Sequence, residues 1–443
     1  MNSFKPMLLT SLKSYDRAQF AKDVTAGIIV AIIALPLSIA LALASGVGPE
    51  AGIFTAIVAG FVISALGGSC VQIAGPTAAF ATIVAGIVAR DGLEGLMTAT
   101  ILAGIFLIIM GFCHFGSLIK FIPYTITTGF TSGIAVTIVI GQLKDFCGVT
   151  YPDGVKPIET MEKLKAFAEN FSTISPDALI VGGVSLAILI VSPLIFKKIP
   201  GSLIAVIAGI LMVQFLPLHV STIGNLYTIS NALPTLHLPV FDMKLIQSAI
   251  PNAFTIAVLA AIESLLSCVV ADGMINSKHR SDTELIAQGA GNIASALFGG
   301  IPATGAIART AANIKNGGRT PVAGMVHSIT LVIVLVVLMP FAGMIPMPTI
   351  AAILFLVAYN MCQWRTFVHL VRTAPKSDII VLFTTFVLTV VFDLVVAIEI
   401  GMVLACLLFI KRMSEETHAD SWVYVDDDSP AVDEHLQKLP LEI

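Results

Sequence analysis

Long apolar segments recur along the whole chain, and they limit its fold more than any other feature. Charged residues make up only 12% of the sequence and hydrophobic residues 56%, with a mean hydropathy of +0.95. A soluble domain carries about 25% charged residues, so the composition indicates a membrane protein. Because backbone groups in lipid must be hydrogen-bonded within the protein, we expect an all-α bundle of spanning helices.

The apolar segments predict fourteen spans, divided into seven plus seven by a polar connection at 218–248. The first seven are expected at 24–44, 51–66, 71–89, 95–113, 118–143, 177–196 and 201–217. The last seven are expected at 249–271, 285–298, 302–316, 320–341, 345–363, 376–392 and 394–411. Several of them are shorter than the roughly 20 residues that cross a bilayer as a straight helix.

The distribution of Lys and Arg predicts the orientation of these spans. An even number of spans places both termini on one side, and that side receives most of the Lys and Arg residues. The positive-inside rule therefore puts both termini in the cytoplasm. Since each half has an odd number of spans, the halves must be oppositely oriented, as in the inverted repeats of many secondary transporters.

Two proline-containing breaks interrupt the apolar pattern in the third span of each half. They are GGSCVQIAGPTAA at 67–79 and GGIPATGAIART at 299–310. Glycine and proline end one segment there before a helix begins, so we predict two half-helices whose N-termini meet near the membrane centre. Their free N–H groups and positive dipole ends favour an anion. The alternative is that Gly and Pro merely kink packed helices.

The predicted substrate site lies between these half-helices. Its polar side chains come from Gln72 and Thr77 in one break and Thr304 in the other. The candidate substrate-binding residues are Ser38, Gln72, Gly75, Thr77, Ala78, Ala303, Thr304, Gly305, Ala306 and Arg309. Ser38, near Pro36 in the first span, fits a cavity wall and a packing kink equally well. Arg309 has three open roles: substrate binding, an ion pair with Glu263, or a helix end at the cytoplasmic surface.

Glu263 is an isolated acid deep in the predicted eighth span. A charge at the centre of a spanning helix costs roughly 2.5–3.5 kcal/mol on insertion scales. This carboxyl must therefore be protonated, paired or in contact with water. It is the candidate carrier of a coupled proton or cation, and Ser267 lies one turn along the same helix face. A structural ion pair with Arg309 is the alternative.

The residue pattern argues against other classes of function. The six cysteines lack the paired spacing of a disulfide framework or a metal site. A net charge of −4 without a basic run argues against nucleic acid as a partner. No nucleophile–base pair or nucleotide loop is recognisable, so we expect no enzyme activity, no metal and no cofactor.

Five motifs resemble the sulfate permease (SulP) family of anion transporters, over residues 18–412. They are DVTAG at 23–27 with Pro36, GPTA at 75–78, GFTSG at 129–133, IESLL at 262–266 and ART at 308–310. ESLL at 263–266, with DGM at 272–274 and Lys278–His279, most resembles the bacterial proton-coupled C4-dicarboxylate branch. The cyanobacterial sodium–bicarbonate branch is similar but usually has aspartate at the position of Glu263.

This resemblance implies proton-coupled uptake of C4-dicarboxylates or sulfate by an elevator movement, in a homodimer in the bacterial inner membrane. It implies a core domain of about 23–113 and 249–341, and a gate domain of about 118–217 and 345–411. Cytoplasmic segments are expected at 1–22 and 413–443. A STAS domain usually follows the last span, and the chain ends 31 residues after Arg412, so we expect that domain to be absent or truncated.

Three alternative functions stay open at this point. The same resemblance is compatible with sodium-coupled bicarbonate transport. A proton-coupled nucleobase permease has the same fold, with its site between the third and tenth spans. An anion channel or a motor-like voltage responder is the alternative from a different class, and saturable uptake against a gradient excludes a pure channel.

Overall fold

Helices form nearly all of the fold. The structure, a computed structural model, describes residues 4–410 except 118–123, 153–154, 156, 196–199, 240–241, 393–399, 402, 405–406 and 409. The helices of the first half are α1 (Met7–Ser11), α2 (Arg17–Ala44), α3 (Pro49–Leu66), α4 (Ala78–Phe112), α5 (Tyr124–Cys147), α6 (Thr160–Glu169), α7 (Pro176–Ile195) and α8 (Gly201–Phe215). Those of the second half are α9 (Ile223–Leu226), α10 (Met243–Ile275), α11 (Ser281–Leu297), α12 (Ile307–Lys315), α13 (Val322–Ala342), α14 (Met347–Cys362), α15 (Trp364–Thr373) and α16 (Lys376–Val391). Two strands, β1 (Ala74–Gly75) and β2 (Thr304–Gly305), and two 3₁₀ turns at Leu12–Ser14 and Phe171–Thr173 complete the described elements.

The predicted fold, an all-α membrane protein with two inverted repeats of seven spans, is confirmed. Eight helical stretches in the described part are long and apolar enough to cross a bilayer alone. Gly92, with φ of +69°, divides α4 into two segments that correspond to the third and fourth spans. The predicted fourteenth span, 394–411, and the segment 413–443 lie mostly or wholly outside the described residues.

The third and tenth spans begin later than the sequence predicts. The expected spans 71–89 and 302–316 each start with extended chain, and the helices begin only at Ala78 and Ile307. Pro302 comes before β2, whereas Pro76 follows β1, so the two prolines are not equivalent positions. The helical part of α12 is about 14 Å long, roughly half of a bilayer's hydrocarbon thickness.

The helices form two groups that share a boundary. Helices α2, α3 and α4 pack with α10–α13, while α5, α7 and α8 pack with α14 and α16. The two groups meet where α14 and α8 contact α2, and where α4 contacts α5. The division into a core and a gate domain, and their relative movement, stay predictions.

Asp23 joins the start of α2 to the turn that precedes α13. Its carboxylate accepts hydrogen bonds from Thr320 Oγ1 at 2.6 Å and from Arg319 N at 2.9 Å. Tyr15 also donates to it, at 3.0 Å. Burial, followed by this hydrogen bond, raises the pKa of Tyr15 to about 12. The phenol therefore stays a protonated donor across the physiological pH range.

A pair of glycines allows α4 and α11 to approach backbone to backbone. A Cβ atom added at Gly289 would meet the carbonyl oxygen of Gly104, and one added at Gly104 would meet the carbonyl oxygen of Gly289. Small residues allow this kind of close helix packing in membranes. The contact brings α11 against α4, the helix that carries one of the two half-helices.

We predict that Gly289→Ala destabilises the protein by about 1–3 kcal/mol, because the added methyl group has no space. Thermal unfolding of the purified protein in detergent measures the change. Gly183→Ala in α7 is the matched control, since nothing lies within 4 Å of a Cβ atom at that position. Equal melting temperatures for the two variants would contradict the close approach.

Candidate functional site

The two breaks meet as a short antiparallel sheet. Ala74 pairs with Gly305 and Gly75 pairs with Thr304, and Ala306 N donates to Ile73 O at 2.9 Å. A two-fold axis through the Gly75–Thr304 pair matches the N-cap Thr77 with the N-cap Ala306, and Ala78 with Ile307. The half-helices that follow the strands, the first segment of α4 and α12, therefore start at equivalent places and run in opposite directions.

No side chain caps the start of either half-helix in the described part of the chain. The N-cap residues are Thr77 and Ala306, and neither makes a capping hydrogen bond. Ala306 is half-buried, while Ile307 and Ala308 are exposed. The first N–H groups of a helix have no partner within the helix. The two helix starts therefore combine free N–H groups and positive dipole ends at one place, an arrangement that suits an anion.

Glu263 of α10 lies directly at one of these helix starts. Thr77 Oγ1 donates to Glu263 Oε2 at 3.1 Å, and the Glu263 side chain is only half-buried. A hydroxyl at the N-cap would ordinarily bond the helix's own N–H groups. Here the Thr77 hydroxyl donates to Glu263 instead. The same hydroxyl therefore lies at both the carboxyl group and the uncapped start of the helix.

The next residues of α10 hold the second break. Ser264 Oγ lies 2.6 Å from Thr304 Oγ1 and accepts from Gly305 N at 3.1 Å. Ser267 Oγ donates to Thr310 Oγ1 at 3.5 Å, and the same Thr310 oxygen accepts from Ile73 N. One helix thus presents a carboxyl to the first break and two hydroxyls to the second.

Arg309 is buried between the two breaks, with 2% of its surface exposed. Its Nη2 atom donates to Pro76 O at 3.0 Å, while Nε and Nη1 have no partner among the described residues. Because α12 begins at Ile307, Arg309 belongs to the first turn, where a positive charge opposes the helix dipole. Of its three open roles, a helix end at the surface is therefore wrong, and the described residues contain no ion pair between Arg309 and Glu263.

The remaining predicted side chains face the protein interior. Gln72 Nε2 donates to Glu284 Oε1 at 2.9 Å, and Cys268 Sγ lies 2.6 Å from Gln72 Oε1. Ser38 is wholly buried, and its hydroxyl has no partner in the described part of the structure. Thr304 is also wholly buried. Contact of these three side chains with a substrate stays a prediction.

Side chains from both repeats hold the second break by hydrogen bonds to its backbone. Asn292 of α11 brackets Ala303, accepting from its N–H and donating to its carbonyl, both at 2.9 Å. Thr55 of α3 accepts from Ile301 N at 2.7 Å. The chain before β2 is therefore held by side chains on two helices, which positions Ala303 and Gly305 without exposing them.

Glu284 is a buried acid that the sequence analysis missed. Its Oε2 accepts from the N–H groups of Gly68 at 2.8 Å and Ser69 at 3.2 Å, while its Oε1 accepts from Gln72 and from Gln288 at 2.8 Å. The predicted span began at 285 and left this residue in a polar turn, although α11 begins at Ser281. The signal that could have found Glu284 is its place one turn inside the helix that begins at Ser281.

A cleft of about 210 Å³ runs along the first segment of α4. Thr82 and Gly86 of α4 line one wall, and Thr137 of α5 and Asn252 of α10 line others. Thr82 lies one helical turn beyond Ala78, so the cleft borders the same half-helix as the site. A larger cavity of about 730 Å³ lies near Leu43 and contains none of the candidate site residues.

Relatives in sequence cover most of the chain. The family model described as the sulfate permease family matches residues 20–385. YvdB of Bacillus subtilis (strain 168), which is named as a sulfate transporter, is 42% identical over 414 residues, covering 91% of this chain and 76% of YvdB. The bicarbonate transporter BicA of Picosynechococcus sp. is 35% identical over 403 residues, covering 88% of this chain and 70% of BicA.

Solved structures share the fold. The transmembrane domain of a cyanobacterium bicarbonate transporter BicA matches with a TM-score of 0.78 at 30% identity, covering 87% of this chain and 98% of that one. The murine Slc26a9 anion transporter in its inward-facing state matches with a TM-score of 0.84, covering 92% of this chain and 71% of that one. At 19% identity, the second likeness concerns the fold alone.

We predict that Glu284→Gln loosens the chain between α3 and β1. The amide that replaces one carboxylate oxygen cannot accept, so at least two buried donors lose their partner, at about 1–3 kcal/mol each. Hydrogen exchange measured by mass spectrometry should show faster exchange at Gly68 and Ser69, with a lower melting temperature. Glu94→Gln, at an exposed acid of α4, is the control, and unchanged exchange in Glu284→Gln would contradict the clamp.

Proposed function

Given that the chain belongs to the sulfate permease family of anion transporters, we propose that it is a proton-coupled symporter of sulfate or a C4-dicarboxylate. The observation that carries the anion site is Arg309, a buried guanidinium beside two uncapped helix starts. The described residues place no acid in contact with it. Such a concentration of positive charge in a low-dielectric interior favours an anionic ligand.

In this proposal the anion binds at the two helix starts. The N–H groups that follow Thr77 and Ala306 contact its oxygen atoms, while Gly305, whose own N–H donates to Ser264, holds the second helix start in place. Arg309 contributes its charge from behind Gly75, where a Cβ atom would collide with the guanidinium. The buried side chains of Gln72 and Thr304 act on this site by holding the two strands in place.

Coupling in this proposal depends on the hydroxyl that Thr77 shares with Glu263. While Glu263 is ionised, Thr77 donates to it, and the carboxylate repels a second anion at the same helix start. A proton on Glu263 removes that repulsion and frees the Thr77 hydroxyl to donate to the substrate. Proton and anion therefore favour each other's binding, which is the thermodynamic requirement of symport.

The proposal extends to how the molecule moves and lies in the membrane. The group containing α2–α4 and α10–α13 carries all the site residues, and its boundary with the other group supports an elevator movement of one against the other. We infer a homodimer in the bacterial inner membrane with both termini in the cytoplasm, from the family and from the excess of Lys and Arg on that side.

Sodium-coupled bicarbonate transport is the second candidate. It is favoured by the 35% identity to the bicarbonate transporter BicA. Glu263 distinguishes the two candidates, because the bicarbonate branch usually has aspartate at this position. The glutamate side chain is longer than that of aspartate and contacts Thr77 directly. Replacing external sodium by choline separates them, because only sodium coupling loses its driving force.

We predict that Glu263→Gln abolishes gradient-driven uptake but retains exchange. Purified protein in liposomes, with the outside more acidic than the inside, should accumulate labelled sulfate or succinate. In Glu263→Gln, uptake should fall to the rate without a gradient, while exchange of labelled for unlabelled anion at equal pH continues. Glu169→Gln, at an exposed acid of α6, is the control. Accumulation by Glu263→Gln that still follows the pH gradient would refute the coupling role.

We predict a second pattern from competition in the same liposomes. Unlabelled sulfate and succinate should inhibit uptake of the labelled anion, because helix-start N–H groups bind carboxylate and sulfate oxygens alike. Uracil, which is neutral, should not compete. Inhibition by uracil would instead indicate a nucleobase permease, and stronger inhibition by bicarbonate than by either divalent anion would favour the bicarbonate candidate.

A further inference from the structure

Helix α15 lies between two spanning helices with almost no connecting chain. Gln363, with φ of +44°, is the only residue between α14 and α15, and Ala374 and Pro375 are the only residues between α15 and α16. A ten-residue helix is about 15 Å long, too short to cross a bilayer. Since both neighbours are spans, α15 must lie at the membrane surface where they end.

The apolar side chains of α15 have two different environments. Phe367 packs edge-on against Phe383 and Phe386 of α16, with ring centroids 5.7 and 5.5 Å apart. Trp364 and Val368 point away from the protein and are 48% and 38% exposed. One edge of the helix is therefore anchored on the bundle, and the adjacent apolar edge is free to contact lipid.

The basic side chains lie next to that free edge. Arg365, His369 and Arg372 are exposed and one turn apart, so they form one row beside Trp364 and Val368. The Arg365 guanidinium lies over the Trp364 ring, 5.6 Å from its centroid. No acid occurs in α15. The nearest charges along the chain are Lys376 and Asp378 at the start of α16.

We propose that α15 is an interfacial helix that binds the head groups of anionic phospholipids. Trp364 and Val368 enter the region between head groups and acyl chains, while Arg365 and Arg372 donate hydrogen bonds to phosphate oxygens at the same depth. A tryptophan beside a basic row on a short amphipathic helix is the arrangement that such surfaces favour. The bound lipids hold the connection between α14 and α16 parallel to the membrane.

The two tryptophans of the sequence, Trp364 and Trp422, make the contact measurable. In a Trp422→Phe background, Trp364 is the only tryptophan, and its fluorescence reports contact with brominated acyl chains. Liposomes contain phosphatidylcholine and phosphatidylglycerol in equal amounts, with bromine on one or the other. We expect brominated phosphatidylglycerol to quench Trp364 more strongly than brominated phosphatidylcholine. The difference should correspond to an enrichment of phosphatidylglycerol around Trp364, relative to the bulk bilayer, on the order of fivefold. This enrichment should decrease as salt is added.

Arg365→Gln/Arg372→Gln should remove that enrichment, while Trp364 remains quenched by both lipids. The charge-matched control is Lys165→Gln/Lys244→Gln, at exposed positions outside α15, and it should keep the enrichment. Arg365→Lys/Arg372→Lys should also keep part of it, which separates loss of charge from misfolding. Equal quenching by both lipids in the parent protein, or no quenching by either, would overturn the proposal.

Discussion

The hydrogen bonds between β1 and β2 are the interaction on which the rest of the structure depends. A chain that stops half-way through a bilayer leaves backbone groups without partners, and lipid cannot supply them. Here each break satisfies the other, Ala74 pairing with Gly305 and Gly75 with Thr304. The same pairing aligns two helix starts whose N–H groups stay free. The constraint that stabilises the fold therefore also creates the site.

Each break is also held by a helix of the opposite repeat. Glu284 of α11 binds the chain that precedes β1, and Thr55 of α3 binds the chain that precedes β2. Each half-helix is therefore positioned partly by contacts from the other repeat. These contacts between the repeats make the two halves interdependent and keep the sheet at their common boundary.

The symmetry of the backbone is not matched by symmetry of charge. In the register that aligns the two helix starts, Arg309 corresponds to Phe80, so only one of the two half-helices carries a cation in its first turn. Glu263 lies at the other half-helix, bonded to Thr77. A two-fold backbone thus presents a cation from one side and an acid from the other.

The sequence by itself determined the class of fold, the number of spans, the inverted repeat and the two breaks. These follow from the hydropathy of the segments, from the odd number of spans in each half, and from the local chemistry of Gly and Pro. All three can be read from neighbouring residues. Only the tertiary structure decided that Gly75 and Thr304, rather than the two prolines, are equivalent, that Arg309 is buried in a first turn, and that Glu284 clamps the loop at Gly68. Those facts depend on contacts between residues more than two hundred positions apart, and no local pattern contains them.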